Sequence, residues 1–367
     1  MHNNRLDHLR GSMVALVTPF IDGRIDEDAF VKLCERQIQA GSRALVPCGT
    51  TGEAPTLSHA EQILLIGLAV RTARGRVPVI AGAGSNCTAT TIELVRHAET
   101  LGADAALCIT PYYNRPSQEG LFRHFEAVQA STTLPIVLYD VPKRTGSTLE
   151  LDTIPRLSQL PNIVGLKDAS GDMARAGRLR YSVPPHFLRL CGDDDLVADH
   201  LALGSQGCIS VTANVAPALC AALHAAWGRH DYRVVARISH QLADLNAALF
   251  VESNPVPVKW ALARLGLIDA ELRLPLSALQ QQHEGKVLDA LQNILVAEAQ
   301  AGVIKTPDGD NTEETPDSIL RDLGVESQDV VTDQTEAADW CLCLEATMWA
   351  MPVVAVQPVR QFLGAAG

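Results

Sequence analysis

The sequence predicts an α/β fold: a (β/α)8 TIM barrel followed by a C-terminal helical extension and an acidic tail. Three observations predict it. Eight short apolar runs recur with starts 20 to 34 residues apart, enough for a strand, a helix and two loops. Most of these runs lack polar alternation, as strands buried on both faces should. The segments between them read as helices with their own start signals. An open doubly wound sheet would also alternate, but eight repeats favour closure.

The runs are MVALVTP (13–19), RALVPCG (43–49), VPVIAGA (77–83), DAALCIT (104–110), LPIVLYD (134–140), NIVGLKD (162–168), FLRLCGD (187–193) and GCISVTA (207–213). Asp26 precedes the helical EDAFVKLCERQIQA. Ser58 precedes HAEQILLIGLAVRTA with Glu61 three residues on, a capping-box spacing. Asn86-Cys87-Thr88 leads into the next helix, which Gly102 can end. From 215 to 300 no strand pattern appears, and the chain reads as the eighth helix plus roughly three more. The expected organisation is a barrel over 1–225, C-terminal helices of the same catalytic unit over 226–304, and an acidic linker with an apolar end over 305–367. The linker is expected to enclose a short helix near 316–323, and the end carries Trp340 and Trp349.

Of 367 residues, 30 are Lys or Arg and 42 Asp or Glu, a net charge of −12 that argues against nucleic-acid and acidic-membrane partners. The charge is uneven. From Lys305 onward three basic residues (Lys305, Arg321, Arg360) face twelve acidic ones, so the tail carries −9 of it. Nine scattered cysteines without a Cys-x-x-Cys pair predict buried thiols rather than disulfides or a zinc site. The start is too polar for a signal peptide, and no apolar stretch approaches the ~20 residues that span a bilayer. A soluble cytoplasmic protein is expected.

Catalytic groups of such barrels stand at the C-terminal ends of the strands. Lys167 is the only cation there. A lone lysine is ordinarily a solvated surface group, but one projecting into a barrel mouth is desolvated, which favours the neutral amine that attacks a ketone. The resulting iminium is an electron sink for aldol chemistry. Tyr139, one strand earlier, is placed to shuttle protons across the mouth, although its position alone equally suits a core tyrosine. Thr50 and Thr51 in the tight GTTG turn offer hydroxyls and backbone N–H groups for a carboxylate or a relay, and Arg144 can fork onto a substrate carboxylate. No phosphate-binding loop, His-Glu-x-x-His or Gly-x-Ser-x-Gly occurs. The Asp193-Asp194-Asp195 run reads as helix capping rather than a metal site, so no metal is expected.

Taken together, GTTGEAPTLSHAE (49–61), TPYYNRPSQEGL (110–121), LYDVPKRTG (138–146), VGLKDAS (164–170), CGDD (191–194), GCISVTANV (207–215) and NPVPVKWAL (254–262) resemble the dihydrodipicolinate synthase family. That family lies in the N-acetylneuraminate lyase superfamily of pyruvate-dependent class I aldolases, and the resemblance covers about residues 10–300. It implies a lyase that condenses pyruvate with L-aspartate 4-semialdehyde to 4-hydroxy-tetrahydrodipicolinate, on the diaminopimelate route to lysine. A covalent lysine–pyruvate imine on Lys167 would stand in place of any cofactor. Tyr139 would relay protons with Thr51 and with Tyr113 reaching in from a neighbouring subunit of a homodimer or homotetramer. Arg144 would bind the semialdehyde carboxylate, while Thr50, Thr51 and the backbone at Ile209 hold the pyruvate part.

A related aldolase acting on another 2-keto acid is the alternative, and a non-catalytic binding barrel is the alternative of a different class. The mark of the latter would be loss of the lysine or the tyrosine, and both stand. His59, Asn86 and Tyr112 match the family's lysine-effector pocket. Gln62 and Thr90 replace the His and Glu of inhibited members, so weak or absent feedback by lysine is expected. Asp140 stands where the family usually has Asn. The segment after about residue 304 matches no typical member.

Overall fold

Each apolar run becomes a strand of one closed parallel barrel in the computed structural model, which describes residues 9–303. The barrel strands are β1 (Gly11–Ala15), β4 (Leu45–Val46), β5 (Ile80–Gly82), β6 (Ala105–Ile109), β7 (Ile136–Asp140), β8 (Ile163–Asp168), β9 (Leu188–Cys191) and β10 (Gly207–Ser210). They follow the order β4-β1-β10-β9-β8-β7-β6-β5. A parallel bridge from Leu45 to Val79 closes the ring, with Leu45 N–H donating to Pro78 O (3.0 Å) and Gly82 N–H to Pro47 O (2.9 Å).

The pleat explains why the runs did not alternate. Met13, Ala15, Val46, Ile80, Leu107, Val137, Tyr139, Leu190 and Ile209 form an inner cluster. Val14, Leu45, Ala81, Ala106, Leu138, Leu166 and Cys208 belong to the outer cluster, packed against the helices. Both faces are buried, so both are apolar. Six of the strands stop before their runs do, the last residues turning into the loops of the mouth, whereas β7 and β8 continue to the final Asp140 and Asp168.

The helices are α1 (Glu27–Ala40), α2 (His59–Ala73), α3 (Thr88–Thr100), α4 (Gln118–Ala130), the short α5 (Pro142–Thr145) and α6 (Thr153–Leu157), α7 (Met173–Ser182), α8 (Val197–Ala202) and α9 (Pro217–Gly228). Asp26 caps α1 through the N–H of Ala29 (2.9 Å), and Ser58 with Glu61 forms the expected capping box on α2. The N-cap of α3 is Cys87, whose side chain makes no cap bond. After α9, the eighth helix, come α10 (Tyr232–Ala248), α11 (Val256–Arg264) and α12 (Gln281–Val303), the three further helices expected. Glu298 of α12 accepts from the backbone N–H groups of Ala218 and Leu219 (both 2.8 Å), placing an anion at the start of α9.

One element was not foreseen. Phe20–Ile21 (β2) and Arg24–Ile25 (β3) pair as a hairpin, with Asp22 and Gly23 both left-handed at φ 51° and 75°. The Asp-Gly pair is the turn chemistry for this geometry. The expected acidic linker, the helix near 316–323 and the apolar end all lie outside the described residues. Among the described residues no helix is long and apolar enough to cross a membrane, and seven cysteines are free, all buried but Cys87.

Burial makes His124 a pH-dependent component of the fold. His124 of α4 holds Nδ1 2.9 Å from Thr88 Oγ1 while Nε2 is buried without a hydrogen bond. Desolvation pulls the imidazole down from 6.5 to about 4. The unfolded chain therefore takes up this proton first, and stability falls as pH drops from about 6.5 to about 4, by at most ~3 kcal/mol from this group. Urea unfolding across that window is expected to show the decline, and His124→Asn to remove only its own share, because burial pulls His224 down to about 4 as well.

Candidate active site

Strands β7 and β8 run in register, pairing Tyr139 with Lys167 and then Asp140 with Asp168. Lys167 is also level with Leu190 of β9, and Tyr139 and Leu190 both belong to the inner cluster. The pleat thus turns Lys167 into the barrel beside the tyrosine. The two side chains are 5% and 7% exposed, and Lys167 Nζ lies 4.5 Å from the centroid of the Tyr139 ring. The expectation that they face each other across the mouth is corrected here. They stand side by side on neighbouring strands. Gly192 is required next to them, since a Cβ there would come within 2.7 Å of Ala169 Cβ and 3.1 Å of Lys167 Cε.

The GTTGE turn follows β4, four places from β8 in either direction around the ring, and so faces Lys167 across the mouth. Gly52 fits because a Cβ would press on Leu16 O at 3.1 Å, and Thr18 Oγ1 donates to its carbonyl (2.7 Å). Thr51 is buried, and its hydroxyl accepts from Asn254 Nδ2 (2.9 Å). Thr50 is half-buried and makes no side-chain hydrogen bond among the described residues.

Arg144 of α5 is exposed and donates from Nη2 to Asn254 O (3.2 Å), so one residue links the threonine turn to the guanidinium. Below the turn, Glu53 adopts φ 56° and buries its carboxylate against Lys259 Nζ (2.7 Å), which also donates to Thr18 O (2.9 Å). Burial lowers the Lys259 pKa against the opposing attraction of Glu53.

Ile209 is fully buried on β10. Asp194 is buried behind it and accepts from Ser210 Oγ and from the N–H groups of Val211 (2.8 Å) and Thr212 (3.1 Å). Burial pushes this carboxyl up while those donors pull it back. The middle acid of the Asp-Asp-Asp run therefore ties the loop after β10 in place rather than capping its own helix. Among the described residues no cluster of His, Cys, Asp or Glu is arranged to hold a metal ion.

Tyr113 is not brought into the site by its own chain. It is 90% exposed, with φ 71°, and its N–H donates to Thr145 O (3.3 Å). Of the other expected residues, Asn86 and Tyr112 are linked through Asn114, which donates from Nδ2 to Asn86 O (2.8 Å) and from its N–H to Tyr112 O (2.8 Å). His59, at the start of α2, lies 3.8 Å from Glu93 of α3.

Sequence reasoning did not single out Asn254, Glu53 or Lys259, although NPVPVK and GTTGE were both in view. The assembled site offers an inward amine, an adjacent phenol, and hydroxyls and a guanidinium around one restricted mouth. That set can attack a carbonyl, hold the imine and move protons on and off it.

Residues 8–294 match the Dihydrodipicolinate synthetase family. The 4-hydroxy-tetrahydrodipicolinate synthase of Phenylobacterium zucineum is 50% identical over 284 residues, covering 77% of this chain and 97% of that one. The solved structure of the enzyme of that name from Methylacidiphilum fumariolicum is similar with a TM-score of 0.78 and 42% identity, over 80% of this chain and 99% of that chain. The chloride-inhibited dihydrodipicolinate synthase of Acinetobacter baumannii, solved with pyruvate, is similar with a TM-score of 0.76 and 45% identity, over 77% and 98% of the two chains.

Proposed function

The chain belongs to the dihydrodipicolinate synthetase family, and from that premise we propose that it is a 4-hydroxy-tetrahydrodipicolinate synthase acting through Lys167. The amine of Lys167 attacks C2 of pyruvate, and water leaves to give an imine. Loss of a proton from C3 gives the enamine, whose carbon attacks the aldehyde of L-aspartate 4-semialdehyde. Tyr139 takes and returns the protons of these steps beside the amine. Thr51, fixed by Asn254, and Tyr113 from a second copy extend the relay. Thr50 and the backbone at Ile209 hold the pyruvate part, and Arg144 forks onto the semialdehyde carboxylate. The product then cyclises and leaves, freeing the lysine.

Several further parts belong to this reading. The imine takes the place of an external cofactor, and the exposed Tyr113 calls for at least a dimer. Reduced buried thiols suit the cytoplasm. His59, Asn86 and Tyr112 form an effector pocket that responds weakly to lysine, because Gln62 and Thr90 supply no charge toward its ammonium.

The observation that carries the proposal is the register of Tyr139 with Lys167, with both side chains turned into the barrel. Borohydride reduction with pyruvate, followed by peptide mass spectrometry, is expected to place a pyruvyl adduct on Lys167, with turnover of aspartate 4-semialdehyde in a coupled assay. An adduct without turnover would move the assignment to an aldolase using another aldehyde. No adduct in folded protein would remove the mechanism.

A further inference from the structure

One rung beyond Tyr139 and Lys167, the same strand pair carries Asp140 and Asp168. The pleat turns these two to the outer face, where both carboxylates are buried. Two like charges facing each other across a ladder, away from water, push the strands apart. Arg175 lies against both. Its Nη1 is 2.7 Å from Asp140 Oδ2 and its Nη2 3.3 Å from Asp168 Oδ1.

The guanidinium is itself fixed. Arg175 is 5% exposed, and Nη1 also donates to Leu149 O and Thr148 Oγ1 (both 3.1 Å). Its own N–H donates to Asp172, the N-cap of α7 (2.8 Å), so the helix starts where the clamp is needed. Asp140 Oδ2 accepts from Thr148 Oγ1 and the Leu149 N–H (both 3.1 Å), and Asp168 Oδ1 from the Ser170 N–H (3.0 Å). Asp140 Oδ1 and Asp168 Oδ2 have no hydrogen-bond partner, nor do Arg175 Nε and Nη2, so Arg175 holds Asp140 by a hydrogen-bonded ion pair and Asp168 by charge alone at 3.3 Å.

We propose that Arg175 is a positioning residue for the reaction: by bridging Asp140 and Asp168 on the outer face, it sets the spacing of Tyr139 and Lys167 on the inner face. It touches neither substrate nor reacting atoms. The inference rests on the assignment of Lys167 and Tyr139 made above. A guanidinium suits the task because its fork reaches two carboxylates at once, which an ammonium does not.

The test is a cycle of Arg175→Met and Tyr139→Phe, read as the single-turnover rate of pyruvate trapping on Lys167 and as kcat and KM. Arg175→Met in the otherwise unchanged chain is expected to lower kcat by about 100-fold, the scale of a misplacement near 1 Å, with KM for pyruvate changed by less than about threefold. In the Tyr139→Phe background the same substitution should cost less than about fivefold, because the spacing it controls no longer matters. A merely structural Arg175 costs the same factor in both backgrounds, or lowers the unfolding midpoint while kcat stays within about threefold; either result overturns the proposal. If Arg175→Met does not fold, Arg175→Lys, which keeps the charge without the fork, is read by the same two criteria. A wild-type chain that traps no pyruvate removes the parent assignment, and this one with it. A wild type that traps normally, with equal costs in the two backgrounds, removes this one alone.

Discussion

Lys167→Met is expected to lower turnover by about five orders of magnitude while leaving the fold in place, the scale seen when a covalent nucleophile is deleted. The two effects separate because the residue's contributions differ so much in size. Its amine is the only group proposed to bond to pyruvate. Its structural contacts are modest: a cation over the Tyr139 ring at 4.5 Å, worth roughly 0.5–2 kcal/mol, and an apolar stem that Met replaces at similar volume. Met also removes a buried charge, which offsets part of that loss. The coupled assay should read background, borohydride should trap nothing, and the melting temperature should stay close to that of the unaltered chain. Lys143, exposed on α5 nearby, is the one to watch in the mass spectra. A pyruvyl adduct there, with turnover retained, would transfer the nucleophile to it.

Lys259→Met should produce the largest loss of stability, about 3–5 kcal/mol, because it strips the partner from a buried carboxylate. Glu53 and Lys259 are both shut away from water, and their ion pair at 2.7 Å sits beneath the threonine turn. With total stability near 5–15 kcal/mol, such a loss is a large fraction of the whole. Burial already works against the charge on Lys259, so the pair contributes less than its removal one member at a time suggests. The double substitution Lys259→Met with Glu53→Gln is therefore expected to recover more than half of the loss. Urea unfolding of the two singles and the double measures this. A Lys259→Met chain within ~1 kcal/mol of wild type would show that the Arg273 N–H on Glu53 Oε2, at 3.1 Å, is compensation enough.

The barrel was legible because strands buried on both faces leave continuous apolar runs, and every one of the eight runs holds a strand. Asp26 and Ser58 declared their helices by local chemistry that needs only three following residues. The hairpin at 20–25 was equally local, and its Asp22-Gly23 signal was passed over because each strand is only two residues long. Lys167 stood out as a cation ending an apolar run, yet its relation to Tyr139 depended on register, which a single strand does not reveal. Asn254, Lys259 and Arg175 act through partners on other elements. Their roles follow from distances in space that no local window contains. Asp140 shows the same limit, since in sequence it reads only as an Asp where the family usually has Asn and in the fold becomes half of a clamped pair.

The hydrogen bond between Asn254 and Thr51 joins residues 203 positions apart, and the ion pair of Lys259 with Glu53 spans 206. A ribosome adding about 5–20 residues per second makes the threonine turn roughly 10–40 s before the groups that anchor it. During that interval the nascent chain carries the turn and, later, Lys167, but neither the amide that orients Thr51 nor the ammonium that neutralises Glu53. Until translation has passed α11, Glu53 must remain in water, and the turn with it. Truncated translation products ending before residue 254 should accordingly be inert rather than partly active, and proteolytic clearance would meet them with this loop still open.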